Sequence, residues 1–131
     1  MIHFLIVSNH MDSMNLFEQG LAQHCECRID RANTGQEALS KVMDKALNYD
    51  LVIVDKEVSG TSGKRWLSKI ITANPMVNTA LVSDLSDEDF HEDTEGFGVL
   101  MKISPSPDQS EAGHVVERLT KVLSLYQNIS S

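Results

Sequence analysis

Three side chains suited to handling a phosphoryl group each follow or interrupt an apolar segment: Asp55, Ser83 and Lys102. A carboxylate such as that of Asp55 can attack a phosphoryl group and become an acyl phosphate. The charge on the transferring group must then be neutralised by cations and hydrogen-bond donors. Lys102 can supply a positive charge and Ser83 a hydroxyl group. Whether these residues meet depends on the elements that carry them.

Short apolar runs rich in β-branched residues alternate along the chain with longer segments of helical periodicity. The runs at residues 2–7 and 51–54 are nearly continuous, as expected of strands buried on both faces. The predicted strands are residues 2–7, 27–29, 51–54, 79–82 and 99–101. Asp55 comes directly after the third of them.

The segments between these strands predict helices. Thr34 and Glu37 form a capping box before the second helix. The final helix is marked by apolar residues at helical spacing: Val115, Val116, Leu119, Val122, Leu123 and Tyr126. After the fourth strand Ser86 can act as an N-cap, but few apolar residues follow it. A short or loose fourth helix is therefore predicted.

Five strands alternating with helices predict an α/β fold with a doubly wound, five-stranded parallel sheet of flavodoxin-like order 2-1-3-4-5. In that order the chain reverses direction between strands 1 and 3, where ligands bind at the carboxyl ends. Ser8, Asn9 and Asp55 should line this crevice, with Ser83 and Lys102 beside it. The length of 131 residues suits one domain, spanning 1–131.

The charge of the chain limits its partners. Nineteen acidic residues against 11 basic ones give a formal charge of −8, so direct binding of nucleic acid or of an anionic membrane is not expected. Seven acids crowd residues 84–95 with no Lys or Arg among them, which favours a solvated helix face or a mobile loop. The chain shows no signal peptide or membrane span, and a cytoplasmic location is expected.

Taken in order, these features resemble the receiver domains of two-component response regulators (the CheY-like superfamily) over nearly the whole chain. The matching features are residues 4–7 and 50–55, Gly60 and Gly63 in the loop after strand 3, Ser83, and Lys102. The resemblance implies that Asp55 is the phosphoacceptor, assisted by Ser83 and Lys102. It also implies a magnesium ion held by two acids after strand 1, by the phosphoacceptor and by a backbone carbonyl, here that of Glu57.

The acidic pair of the family is replaced here by Ser8 and Asn9, both neutral. Magnesium prefers charged oxygen ligands and gives up its waters reluctantly. A weakened magnesium site at Asp55 and the Glu57 carbonyl is therefore expected, and Asp84 is a candidate replacement ligand. With fewer anions nearby, a direct pairing of Asp55 with Lys102 is also expected.

Other positions depart from the family pattern in the same direction. Ser59 stands where the loop after the phosphoacceptor usually has proline, and Val99 where an aromatic residue often changes rotamer. Ile103 follows Lys102 in place of a proline in a cis bond. Because a cis bond before isoleucine would cost about 3–4 kcal/mol, a trans bond or a reshaped loop is expected.

Two functions remain open, and neither is enzymatic turnover of a metabolite. In the first, Asp55 takes a phosphoryl group from a histidine kinase or phosphotransfer protein and switches a downstream protein partner. In the second, the chain is a degenerate pseudo-receiver, a phosphorylation-independent interaction module. The resemblance also allows a homodimer. A flavin carrier is disfavoured because residues 8–11 contain no glycine, and a hydrolase because no nucleophile elbow is present.

Overall fold

A computed structural model describes residues 1–130, with side chains described for residues 1–125. The strands are β1 (Ile2–Val7), β2 (Cys27–Ala32), β3 (Leu51–Val54), β4 (Thr79–Val82) and β5 (Met101–Ile103). The helices are α1 (Asn15–His24), α2 (Gly35–Met43), α3 (Gly63–Ala73), α4 (Asp87–Asp93) and α5 (Gln109–Ser130). A 3₁₀ turn at Met11–Met14 precedes α1, and a small hairpin pairs Glu57–Val58 with Thr61–Ser62.

All five main strands are parallel and lie in the order β2-β1-β3-β4-β5. This confirms the predicted flavodoxin-like topology. Alternate residues of the central strands serve two cores. Phe4 and Ile6 of β1 face α1 and α5, whereas Leu5 and Val7 face α2 and α3. Both faces of the sheet are covered, which is why these strands are almost continuously apolar.

The structure corrects two predicted strand boundaries. β2 extends to Ala32, because all six of its residues pair with β1. The fifth strand comprises Met101–Ile103 rather than residues 99–101, and it pairs with β4 in the register Leu81 to Lys102. Gly96 and Gly98 take positive φ angles of 88° and 68° just before it, so the chain is still turning where the strand was expected to begin. Lys102 therefore lies within β5 and not at its end.

The predicted helix signals agree with the structure. The Thr34 side chain accepts a hydrogen bond from the Glu37 N–H at 3.1 Å. Ser86 caps α4, which is only 7 residues long and buries one apolar side chain, Phe90. The predicted contribution of Tyr126 to the apolar face of α5 lies outside the described side chains. No peptide bond of the described residues is cis, which confirms the trans bond expected between Lys102 and Ile103.

Within the part of the chain that the structure describes, no helix combines the length and the apolar character needed to cross a membrane.

Candidate functional site

Asp55 lies at the carboxyl end of β3, and its carboxylate is held by protein donors. The side chain is only 7% exposed. Its Oδ2 atom accepts a hydrogen bond from Ser8 Oγ at 2.7 Å, and its Oδ1 atom accepts one from the backbone N–H of Lys56 at 2.8 Å. The Asp55 N–H donates to the Val7 carbonyl, which continues the pairing of β3 with β1. The crevice expected between strands 1 and 3 therefore brings Ser8 and Asp55 together.

Ser8 is fully buried, and the protein uses its hydroxyl group both as donor and as acceptor. Besides donating to Asp55, Ser8 Oγ accepts a hydrogen bond from the His10 N–H at 2.9 Å. The backbone N–H of Ser8 donates to the Ala32 carbonyl at 3.0 Å. A short neutral side chain thus fills the place of an acid and points its hydrogen at Asp55.

Asn9 acts on the loop after β3 rather than on Asp55. Its Oδ1 atom accepts a hydrogen bond from the Ser59 N–H at 3.3 Å. Ser59 has a φ angle of 53°, a value that the proline ring excludes. Proline would also remove the N–H that reaches Asn9. Proline at position 59 is therefore incompatible with this loop conformation.

Gly63 permits the chain to pass close to the backbone of Asp55. A Cβ atom added at Gly63 would overlap the carbonyl oxygen of Asp55, so a larger residue cannot occupy this position without moving the loop. The Gly63 N–H donates to the Lys56 carbonyl at 2.8 Å. The glycine identified in the sequence therefore has a steric reason in the structure.

Ser83 follows β4 and is half-buried. Its backbone N–H donates to the Ile103 carbonyl at 2.9 Å, and its Oγ atom accepts a hydrogen bond from the Leu85 N–H at 3.1 Å. The next residue, Asp84, is 70% exposed and pairs with Lys56 at 3.6 Å. The hydroxyl group of Ser83 thus organises the start of the β4–α4 connection.

The expected pairing of Lys102 with Asp55 is wrong. Lys102 Nζ lies 2.7 Å from Asp87 Oδ1 and donates a hydrogen bond to the Leu85 carbonyl at 3.0 Å. The hydrogen bond from Lys102 lowers the pKa of Asp87 below its usual value. The reason is that the first residue of α4 offers a carboxylate and the loop before α4 a carbonyl close to β5, whereas Asp55 already accepts from Ser8 and Lys56.

Sequence reasoning missed two lysines that lie around the same edge of the sheet. Lys56 supplies a backbone N–H to Asp55 and a side chain to Asp84. Lys64, in the first turn of α3, pairs with Asp93 at 2.9 Å. The position of Lys56 directly after Asp55 was the available signal for the first. For Lys64 the sequence offered none, because its partner is 29 residues away.

Two cavities open beside these residues. One of about 390 Å³ is lined by Lys56, Lys64 and Ser83, among others. A larger one of about 650 Å³ lies between α4, β5 and α5 and is lined by Phe90, Val99, Lys102 and Arg118, with acidic residues at its rim. The side chain of Val99, where the family often has an aromatic ring, forms part of its wall.

The oxygen atoms around Asp55 are a poor set of ligands for magnesium. Asp55 offers a carboxylate, but the Ser8 hydroxyl directs its hydrogen toward it and the Asn9 oxygen accepts from Ser59. The candidate replacement ligand, Asp84, is paired with Lys56. Among the described residues, no three His, Cys, Asp or Glu side chains are grouped to hold a metal ion. The residues present do not fit the ion.

Comparison with known proteins gives similarity at the level of structure. No protein-family model and no curated protein sequence matches the chain, whereas 313 solved chains resemble it. A signal receiver domain of a putative Luxo repressor protein from Vibrio parahaemolyticus superposes with a TM-score of 0.81 at 15% identity, over 99% of this chain and 98% of that one.

Two further solved structures show the same likeness. The receiver domain protein from Methanospirillum hungatei has a TM-score of 0.73 at 18% identity, covering 98% of both chains. The response regulator TrrA from Thermotoga maritima, solved with Mg²⁺-BeF, has a TM-score of 0.72 at 27% identity, over 91% of this chain and 99% of that one. With its 2-1-3-4-5 parallel sheet and Asp55 at the end of β3, this chain has the fold of the CheY-like response regulator receiver domains.

Proposed function

We propose that the chain is a receiver module of two-component signal transduction that acts through protein contacts, without metal-dependent phosphorylation of Asp55. The observation that carries this proposal is the hydrogen bond of 2.7 Å from the buried Ser8 hydroxyl to Asp55 Oδ2. It satisfies the carboxylate from the side on which the family places its magnesium ligands. Signalling itself rests on the likeness in fold to solved response regulators.

Lys102 supports the same proposal. A lysine that neutralises a phosphoryl group must be able to reach it, and here Lys102 is bound to Asp87 and to the Leu85 carbonyl. Its ammonium group already has two anionic or dipolar acceptors. For Lys102 to reach a phosphoryl group on Asp55, its contacts with Asp87 and the Leu85 carbonyl would first have to break.

The surface formed by α4, β5 and α5 is the proposed docking face. Glu88, Asp89, Glu92 and Glu95 are exposed on or just after α4, beside the cavity of about 650 Å³ lined by Phe90 and Val99. A partner segment that places an apolar side chain in the cavity and basic groups against this rim matches both its shape and its charge. Because such charges are exposed, association should weaken as salt increases.

The test is the intact mass of the protein after incubation with acetyl phosphate, with and without MgCl₂, beside an Asp55→Asn control. No phosphoryl adduct is expected on a chain whose circular dichroism spectrum shows it to be folded. A magnesium-dependent adduct that is absent from Asp55→Asn would contradict the proposal and establish the second candidate.

That second candidate is a phosphoacceptor: Asp55 receives a phosphoryl group from a histidine kinase or phosphotransfer protein. The observation in its favour is the retained carboxylate at the end of β3, with Ser83 after β4 and Lys102 on β5, the adjoining strands. An Asp55 oxygen would attack phosphorus while the bond to the donor oxygen or nitrogen breaks with its electron pair. The solved structure of TrrA in complex with Mg²⁺-BeF, which has a similar fold, supports this candidate.

A further inference from the structure

Three aspartates of residues 84–93 each pair with a lysine from a different part of the fold. The pairs are Asp84–Lys56 at 3.6 Å, Asp87–Lys102 at 2.7 Å and Asp93–Lys64 at 2.9 Å. The lysines come from the residue after Asp55, from strand β5 and from the first turn of α3. The segment is thus paired with lysines at three places around the carboxyl end of the sheet.

Apolar packing contributes little to holding the same segment. Phe90 is the one buried apolar residue of α4. Thr94, at the end of the helix, is also buried, but its hydroxyl group bonds back to the Phe90 carbonyl within the segment. α1 and α3, by contrast, bury several large side chains each, such as Phe17 and Leu67. Charge is therefore a larger share of what fixes α4 than of what fixes the other helices.

The three lysine–aspartate pairs differ in length and in solvent exposure. Lys102 is 23% exposed while Asp87 is 94% exposed, so a half-buried cation pairs with a carboxylate that stays in solvent. Lys102 also donates to the Leu85 carbonyl, which fixes the loop before α4. Lys64 and Asp93 are both 40% exposed, and the Lys56–Asp84 pair is the longest of the three, with side chains 53% and 70% exposed. Lys102 is the least exposed of the three lysines and makes the shortest of the three pairs.

We propose that residues 84–93 form a charge-clamped strap, held against the sheet by three lysine–aspartate pairs and released when those pairs are lost. The strap covers the edge at Ser83, where Lys56 and Lys64 line the smaller cavity with it. Its aspartates supply the negative charges that pair with the lysines of that edge. The proposal concerns the strap itself and stands whether or not Asp55 is phosphorylated.

Hydrogen–deuterium exchange of peptides covering residues 84–95 tests this in the whole chain. A Lys56→Gln/Lys64→Gln/Lys102→Gln variant should exchange roughly five-fold faster than the wild type in this segment, given three pairs of exposed or half-exposed charges. Peptides from β1 and β3 should keep their wild-type exchange. A Lys41→Gln/Lys45→Gln/Lys121→Gln variant has the same net charge and is the matched control.

Two further arms separate the specific pairs from general charge effects. In wild-type protein 0.5 M NaCl should accelerate exchange of residues 84–95, and it should do so far less in the first triple variant. A Lys102→Asp/Asp87→Lys swap should exchange more slowly than Lys102→Asp alone. Unchanged exchange in the first triple variant, or equal acceleration in the control variant, would overturn the clamp.

Discussion

Ser8 Oγ and Asp55 Oδ2 lie 2.7 Å apart, and the hydroxyl of Ser8 is the donor. Ser8 is fully buried and Asp55 nearly so. Their strands are neighbours, with Val7 of β1 opposite Val54 of β3, so each residue is the first beyond a paired strand end. The carboxylate is thereby satisfied by the fold itself. This relationship distinguishes the site from one in which acids at position 8 or 9 would face Asp55 and share a cation.

Ser8→Ala should destabilise the protein by about 1.5–3 kcal/mol, because it removes a donor to a buried carboxylate and an acceptor for the His10 N–H. The free energy of unfolding is measured with urea. Ser13→Ala is the control, since the Ser13 hydroxyl bonds to the His10 carbonyl at the surface. It should cost under about 0.5 kcal/mol. Equal costs for the two variants would show that the Ser8–Asp55 bond contributes nothing particular.

Replacing Ser8 and Asn9 by aspartates should create the metal affinity that the wild type is expected to lack. In a Ser8→Asp/Asn9→Asp variant the carboxylate introduced at position 8 faces Asp55, so the variant should melt below the wild type without metal because like charges repel. MgCl₂ should then raise its melting temperature by mass action. Differential scanning calorimetry in 10 mM MgCl₂ or in EDTA makes the measurement.

The wild type and the variant Ser8→Asp/Asn9→Asp/Asp55→Asn are the controls for that experiment. Magnesium should leave the melting temperature of the wild type unchanged and should stabilise the triple variant less than the double one. A magnesium-dependent rise in the wild type that disappears in Asp55→Asn would refute the poor fit of the present donors.

Ser59→Pro should destabilise the loop after β3, although receiver domains usually have proline there. Ser59 has a φ angle of 53° and donates its N–H to Asn9, and proline can do neither. A loss of about 2–3 kcal/mol is expected from urea unfolding. Ser59→Gly is the matched variant, because glycine accepts positive φ, and it should be neutral within about 0.5 kcal/mol. Similar values for both variants would contradict the loop conformation.

Tyr49→Phe should make stability depend less on pH in the acid range. The Tyr49 hydroxyl donates to Asp30 Oδ2 at 2.8 Å, and His3 Nε2 lies 2.9 Å from the same oxygen. Burial raises the pKa of Asp30, but the hydrogen bonds from Tyr49 and His3 outweigh it and lower the pKa overall. Burial and the bond to Asp30 raise the pKa of Tyr49.

A carboxyl group whose pKa is lower in the folded state stabilises the fold above its unfolded pKa of about 3.9. That contribution is lost as the pH falls through the folded value. The wild type should therefore exceed Tyr49→Phe by about 1.5–3 kcal/mol at pH 7 and by progressively less below about pH 4. Urea unfolding of the two proteins at pH 7 and below about pH 4 gives the difference in their free energies of unfolding. If the difference is the same at the two pH values, the bond does not depend on an ionised Asp30, and Asp30→Asn should then leave the pH profile unaltered.

The sequence by itself determined the sheet and the position of Asp55 in it. The continuous apolar runs of β1 and β3 required burial on both faces, and the intervening helical segments required parallel crossovers. Those two constraints left few strand orders, among which 2-1-3-4-5 is a common one, and that order places Ser8 and Asp55 at neighbouring strand ends. The weak fourth helix was also predictable, because residues 84–95 contain so few apolar side chains.

Tertiary structure decided where the long and mobile groups go. Lys102 has a flexible side chain with several acceptors in reach, and its choice of Asp87 over Asp55 depends on where α4 lies, which no local pattern specifies. The same holds for Lys64 and Asp93, which are distant in sequence. The start of β5 shifted because the glycine turn before it has a geometry that periodicity does not report. Strand placement follows from burial, which composition reveals, whereas ion pairing follows from distances that only the folded chain sets.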